Sequence, residues 1–471
     1  MNRKILAAIL GAVSLATVST SQAETERPDI VFIIVDDLND WIGALGGHPD
    51  AISPNMDGLA SRGMLFTQAY GNSPQCRPSR TSLNHGVYPF RTGTYFNAKA
   101  KNETAITTPT MQEFFSANGY RVVSGGKVFH GGPGNHGDNL LQRPADPKPP
   151  AGMDTFGAMN PPNDGYALDV PDEAMGDFKV ADWAIDQWAN DNDQPLFMSV
   201  GFFRPHRPLQ VPAPYFEAFP LDSIKRPTEP TEDDWSDMPE FARRLARTHA
   251  HKPLHDGGLS DHEYLVKNDQ WDSTIQAYQA SIAFVDRQIG RFLDSLKNNP
   301  RGRETIIMLV SDHGWHLGEK KHWCKGAIWE QTTHIPFIVH APGINPGSIS
   351  TQPVSLIDVF PSLADLAGLP LPDYLDGTSI KPQLTDPTSP RPPAISSYGE
   401  GNTAIRTERW RYIRYEDGSE ELYDHSVDAD EWTNLAADPA HTKTKQTLAK
   451  FIPENQHPGL KVQDWYDEFQ N

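Results

Sequence analysis

Cys76 stands in the run C-R-P-S-R-T-S-L-N-H-G, one of two cysteines in 471 residues, with Pro78, Ser79 and Arg80 close behind it. Proline is tolerated in the first turn of a helix, where its missing N–H costs nothing, so the spacing predicts a helix opening at Cys76. A thiol at that mouth sits beside unpaired backbone amides that favour an anion. This stretch alone leaves two readings open: a reactive residue, or an ordinary buried or disulfide-bonded cysteine with Cys324 as its partner. Four other pairs of residues carry candidate chemistry. Asp36 and Asp37 end the apolar run D-I-V-F-I-I-V-D-D, and Lys127 and His130 lie in G-G-K-V-F-H. Arg204 and His206 lie in F-F-R-P-H-R-P, and Asp312 and His313 follow T-I-I-M-L-V-S. Adjacent aspartates repel, and their hard oxygens suit calcium or magnesium, so Asp36 and Asp37 are expected to hold a divalent cation. A cation on carboxylates beside lysine, arginine and histidine equips a site to transfer or hydrolyse a tetrahedral oxyanion ester.

What positions these residues is a set of strands. Apolar, β-branched runs at Asp29–Asp37, Tyr120–Ser124, Pro195–Phe202 and Thr305–Ser311 read as central strands buried on both faces. Each is followed by one of the four polar pairs. A parallel or mostly parallel sheet presents its ligands at the carboxyl ends of its strands, which brings the pairs to one edge beside Cys76. Helices are expected at Pro54–Arg62, Thr110–Asn118, Asp177–Asn190, Asp272–Leu296 and Asp358–Ala367, with a further strand at Pro336–His340. His322, Cys324 and Lys325 fall in a short helix or loop.

Asp138–Tyr166, rich in proline, glycine and asparagine, reads as a long surface excursion lining a cleft, and Pro208–Asp269 as a second loop region shaping it. Within the latter, Arg243, Arg244, Arg247, His249, His251 and Lys252 read as a solvated helix face. Lys381–Pro393 reads as a linker. Beyond it Trp410–Tyr415 and Glu421–Tyr423 form a hairpin, and Thr444–Phe451 a last helix. The expected fold class is α/β, a large mostly parallel central sheet between helices over 24–385, plus a small C-terminal α+β subdomain with an antiparallel sheet over 386–471.

Arg3 and Lys4 precede an apolar run and a small-residue stretch ending at Ala23, the pattern of a signal peptide over residues 1–23. A periplasmic or secreted protein with no membrane span is expected. Removal of that segment leaves 39 Lys and Arg against 61 Asp and Glu, a formal charge of −22. Such a balance argues against nucleic acid or anionic membranes as partners, while a local cationic pocket can still receive an anion. Two cysteines are too few to build a disulfide scaffold.

C-x-P-S-R with a closing Gly86 resembles the signature of the type I sulfatases. G-Y-R-V-V-S-G-G-K-V-F-H resembles their second signature, and V-D-D, R-P-H, S-D-H-G-W-H-L-G-E and W-C-K complete the set in order. K-V-F-H, R-P-H and S-D-H-G-W are most similar to the iduronate-2-sulfatase-like branch. The resemblance implies an alkaline-phosphatase-like sandwich and a Cys76 oxidised to formylglycine by a formylglycine-generating maturation enzyme. It implies calcium bound by Asp36, Asp37, Asp312, His313 and the modified residue 76. It also implies that Arg80 and Lys127 steady the nucleophile, that His130 is a base, and that His206 and Lys325 contact the sulfate. Asn84 and His85 stand where the family more often shows an apolar residue and a threonine. The implied reaction is hydrolysis of sulfate esters on a sulfated carbohydrate, from glycosaminoglycans to algal glycans such as ulvan. The alternatives are a phosphomonoesterase or phosphodiesterase of the same superfamily, and a catalytically silent glycan-binding protein. Conversion of Cys76 and a Cys76–Cys324 bridge exclude each other.

Overall fold

Every residue of β1, Asp29–Asp36, is buried, as an apolar run covered on both faces requires. Its side chains alternate between two cores. Val31, Ile33 and Val35 pack with α1 (Pro54–Arg62), α4 (Gly176–Ala189) and α5 (Trp271–Lys297). Ile30, Phe32 and Ile34 pack with α2 (Cys76–His85), α3 (Met111–Ala117) and α6 (Val359–Leu366). Helices therefore cover both faces of one sheet. The computed structural model describes residues 27–98, 106–130, 139–148, 165–190, 193–228, 235–247, 258–298, 300–459 and 461–462. The expected signal peptide over 1–23, His249, His251, Lys252, and residues 138 and 149–164 of the long excursion lie outside them. No helix among the described residues is long and apolar enough to cross a membrane.

The sheet has eight strands. After β1 come β2 (Met64–Phe66), β3 (Arg121–Gly126), β4 (Asn139–Leu141), β5 (Leu196–Pro205), β6 (Thr305–Ser311), β7 (Phe337–His340) and β8 (Ser348–Ser350), in the spatial order β8-β2-β7-β6-β1-β5-β3-β4. The run β6-β1-β5-β3-β4 is parallel throughout. β7 is antiparallel to both β6 and β2. The four strands expected from their apolar runs are thus neighbours with their carboxyl ends on one edge. A separate antiparallel sheet joins Ala394–Ser397, Thr403–Arg406, Trp410–Arg414 and Glu420–Asp424 in sequence order, as the expected hairpin requires.

Of the short helix or loop expected around Lys325 the loop is found, following a tight hairpin of His316–Leu317 and Trp323–Cys324. Two expectations are corrected. Lys381–Pro393 is packed rather than loose: Lys381–Thr385 is helical, and Arg391 pairs with Asp358 at 2.9 Å while donating to the carbonyls of Thr378 and Ser379. The excursion from Asp138 begins as a strand of the main sheet, because Asn139–Leu141 finds unpaired backbone groups along β3. The basic face reads as expected where it is described: Glu240–Arg247 buries Phe241, Ala242, Leu245 and Ala246 and turns Arg243 and Arg247 outward.

Helix α2 is fixed at its C-terminal end. Gly86 caps it in the left-handed conformation at φ 68°, and Asn84 reaches back to the Arg80 carbonyl at 2.8 Å. Gln112 of α3 donates to Asn84 Oδ1 at 2.8 Å, and His85 Nδ1 lies 2.8 Å from the Thr108 carbonyl. The two departures from the family pattern are therefore a matched set of polar contacts behind the helix. Asn84→Leu leaves the buried Gln112 amide only the longer bond to Ser199 Oγ, at 3.4 Å, and is expected to cost about 1–3 kcal/mol, read as a lower denaturant midpoint. An unshifted midpoint would show that these amides do not hold the helix.

Candidate active site

Asp36 and Asp37 stand where β1 leaves the sheet. Asp37 has φ 60°, a left-handed conformation that a non-glycine residue keeps only when its neighbours impose it. Here its backbone N–H donates to Asp312 Oδ1 at 3.0 Å, and Tyr278 of α5 donates its hydroxyl to the Asp37 carbonyl at 2.7 Å. Ser311 closes β6 against β1 by donating to the Val35 carbonyl, which places Asp312 beside Asp36. On the other side Gly126, at φ 73°, turns the chain out of β3. A Cβ on Gly201 would stand 2.2 Å from the Lys127 carbonyl carbon, so only glycine there lets Lys127 cross.

Arg80 joins the acidic groups from the middle of α2. It is 1% exposed; its Nε lies 2.8 Å from Asp312 Oδ2 and its Nη2 2.9 Å from Asp36 Oδ1. Lys127 pairs with the second oxygen of Asp36. Lys325 reaches Asp37 Oδ1 at 2.8 Å and Oδ2 at 3.0 Å. Cys76 is fully buried among them: Lys325 Nζ is 2.9 Å from its Sγ, His313 Nε2 3.4 Å, Asp37 Oδ1 3.7 Å and Lys127 Nζ 3.7 Å. Burial alone would raise the thiol, but Lys127 and Lys325 outweigh it and bring its pKa down to about 7. Cys76 and Cys324 are both buried, and no disulfide joins them.

The histidines differ in charge because their neighbours do. Burial works against the proton on His313, but Asp312 and Asp37 raise its pKa to about 9. Burial, then Lys127 and Lys325, push His130 down to about 4 and His206 well below the ordinary histidine range. His206 Nε2 lies 3.8 Å from Asp37 Oδ2, and the side chain is 21% exposed, so it faces the mouth of the site. His130 Nδ1 is buried without a hydrogen-bond partner among the described residues. Ten of the eleven residues singled out from the sequence gather here.

Arg204 does not reach into the cluster. Its guanidinium donates to the carbonyls of Gln210 and His206 and pairs with Asp146, holding the turn that carries His206. The Asp177 carboxylate of α4 accepts the backbone N–H groups of Phe203 and Arg204 at 2.8 Å each. Sequence reasoning passed over Tyr278, Ser311, Asp177 and Phe203, which hold the site from a distance and have no spacing signal of their own. A second grouping of ligand types, Glu330, His425 and Glu431, is occupied differently: Arg406 and Arg411 pair with its carboxylates.

A family profile described as Sulfatase matches residues 28–369, from the start of β1 to beyond α6. The chain belongs to the sulfatase family. It is a sulfuric ester hydrolase. A second profile, described as N-sulphoglucosamine sulphohydrolase, C-terminal, matches residues 318–457, from the hairpin before Lys325 through the antiparallel sheet. This sulfatase is 32% identical to a sulfatase of Formosa agariphila over 453 residues, covering 92% of this chain and 88% of that one. It is 30% identical to the iduronate 2-sulfatase of Homo sapiens, covering 78% of this chain and 74% of that one. Its fold matches the solved structure of a 2-O GAG sulfatase with a TM-score of 0.70 at 22% identity, over 95% of this chain and 93% of that chain.

Proposed function

We propose that this sulfatase removes sulfate from a sulfated carbohydrate by attack from residue 76, converted from cysteine to formylglycine. The observation that carries the reading is the balance of charge around Cys76. Three buried carboxylates, Asp36, Asp37 and Asp312, face three cations, Arg80, Lys127 and Lys325. A divalent cation added to that set leaves the pocket net positive, the charge an entering sulfate ester requires.

The donors fit such an ion. Asp37, Cys76, Asp312 and His313 offer ligand atoms within 4.8 Å of one another, and Asp36, Asp37 and Cys76 form an overlapping set with His206. Burial pushes the Asp37 carboxyl up to about 7 despite Lys325, so the protein alone does not fully compensate its charge. Carboxylate oxygens in this number suit calcium, and Asp36, Asp37, Asp312, His313 and residue 76 would hold it. The ion would supply Lewis-acid polarisation of the sulfate oxygens. The Cys76 Sγ marks where the oxygens of the converted side chain would stand. When formed, that hydrated aldehyde offers one hydroxyl to attack sulfur and a second to expel the bound sulfate.

The remaining steps belong to the chain's own side chains. Arg80 fixes the spacing of Asp36 and Asp312. Lys127 and Lys325, both within 4 Å of Cys76 Sγ, counter the charge that develops on the sulfate oxygens. The unpartnered Nδ1 of His130 takes the proton whose removal releases sulfate. His206, neutral in the resting site, acquires a proton when the sulfate's charge enters and passes it to the leaving alcohol at the mouth. Export through the segment 1–23 and maturation by a formylglycine-generating enzyme belong to the same reading.

A pH dependence follows from His130. As a base it works unprotonated, and with its pKa lowered to about 4 it stays so throughout the neutral range. Its share of the acid limb of kcat is therefore expected near pH 4. A limb near pH 6.5 that disappears in His130→Gln would contradict this assignment. The linkage has the same sign. The unfolded chain binds this proton near pH 6.5 and the folded chain only near 4, so the stability His130 contributes is present above 6.5 and lost as pH falls towards 4.

The function itself is tested by sulfate release from defined sulfated oligosaccharides, with the phosphorylated counterparts alongside. Release of sulfate but not phosphate is expected. Preferential phosphate release would favour the phosphoesterase reading, and tight binding with release of neither would favour a silent glycan-binding protein.

A further inference from the structure

The stretch that begins at Asp138 brings one more cation to the same edge. Leu141, the last residue of β4, lies opposite Gly125 of the parallel β3. Lys127 stands one residue beyond β3, and Arg143 two residues beyond β4. A fifth parallel strand thus ends in a basic side chain, as its neighbours end in the groups around Cys76. The Arg143 guanidinium carbon lies 3.1 Å from the centroid of the Phe203 ring, and Lys127 Nζ 5.2 Å from the same point. The two cations are no further apart than those lengths together. The His206 ring packs on Phe203 as well, at 4.6 Å between centroids. One aromatic ring therefore carries Arg143 alongside two residues of the site.

Arg143 is weakly neutralised. Its carboxylate partner is Asp146, 3.2 Å away, and the same Asp146 oxygen already receives Arg204 at 2.7 Å. The other Asp146 oxygen accepts the Gly176 N–H. Two guanidinium groups thus share one oxygen. Arg204 is buried and uses its remaining N–H groups on backbone carbonyls, whereas the Arg143 side chain is 34% exposed and makes no other hydrogen bond among the described residues. Burial, with Arg204 close by, holds its proton affinity below the ordinary arginine value, and Asp146, Asp177 and Asp36 offset this only in part. A flat guanidinium stacked on a ring presents its fork edge-on, the geometry that receives a carboxylate or sulfate through two parallel N–H groups.

We propose that Arg143 determines specificity by receiving a second anionic group of the sugar, a carboxylate or a further sulfate, carried next to the ester under attack. The inference rests on the sulfate-ester reading above and adds that the substrate is at least a dianion. Neighbouring substituents of one sugar ring, or groups facing each other across a glycosidic bond, span the gap between Lys127 and Arg143. Asp146 sets the selectivity, because a neutral substituent gives Arg143 no reason to leave it.

The test compares two ratios. One is kcat/KM for a sulfated uronate over its methyl ester, and the other is kcat/KM for a disulfated hexosamine over the monosulfate. Arg143→Gln is expected to lower at least one ratio about 10- to 100-fold, mostly through KM, with Arg143→Lys recovering part of it. Whichever ratio falls identifies carboxylate or second sulfate as the group received. Both ratios unchanged overturns the proposal, whatever happens to the absolute rates. The same ratios are read as binding constants by calorimetry on a Cys76→Ala background, which needs no turnover. Failure of the parent enzyme to release sulfate would therefore count against the sulfatase reading, while an Arg143→Gln variant that binds with undiminished discrimination counts against this one.

Discussion

Cys76→Ala is expected to lower sulfate release by at least about 10⁴-fold while leaving the fold intact, because the proposed mechanism takes its nucleophile from residue 76. Its Sγ has four polar neighbours, Lys325, His313, Asp37 and Lys127, and every one of them belongs to the reacting site. The substitution removes one small buried atom. It leaves Arg80 on Asp36 and Asp312, Lys127 on Asp36 and Lys325 on Asp37. Sulfate release and denaturant unfolding measured on one preparation separate the two effects. Turnover retained at a substantial fraction of the parent's would place the nucleophile elsewhere. A large loss of stability would show that the thiol also holds the site together.

Arg80→Met is expected to have the largest effect on stability, about 3–5 kcal/mol in metal-stripped protein. The Asp36 and Asp312 side chains are fully buried and both pair with this one guanidinium, at 2.9 and 2.8 Å. Removing it leaves two carboxylates facing each other with Lys127 as the nearest cation, and methionine fills the space without satisfying either. Calcium is expected to restore part of the loss, because the ion would take over the same carboxylates. A denaturant midpoint equal to the parent's in the presence of a chelator would rule out this role for Arg80. Failure of calcium to raise the variant's midpoint would count against a cation on these aspartates.

Much of this site was legible in the sequence because buried parallel strands announce themselves. Asp29–Asp36 and Thr305–Ser311 are apolar on both faces, and the rule that ligands gather at strand carboxyl ends was enough to bring Asp36, Asp37, Asp312 and His313 together. The opening of α2 at Cys76 followed from Pro78. What escaped has weaker local signals. Lys325 arrives on a hairpin of two-residue strands, too short for alternation, whose Lys320, Lys321 and Cys324 take left-handed backbone angles that no glycine marks. β4 hides inside a proline-rich stretch because an edge strand of three residues needs only a neighbour to pair with. Tyr278 looked like one more apolar position of a long helix, yet its hydroxyl holds the Asp37 carbonyl from 241 residues away. Phe203 fell one residue past the expected strand, and its ring carries Lys127 and Arg143. Such supports depend on tertiary neighbours rather than on spacing.

The central claim concerns what residue 76 becomes. It is tested most directly by peptide mass spectrometry of active protein made in its native host, read across the segment from Cys76 to Gly86. The account predicts that the thiol has been replaced by an aldehyde or its hydrate, with conversion tracking sulfate release between preparations. Fully active protein with an intact thiol at Cys76 would contradict it.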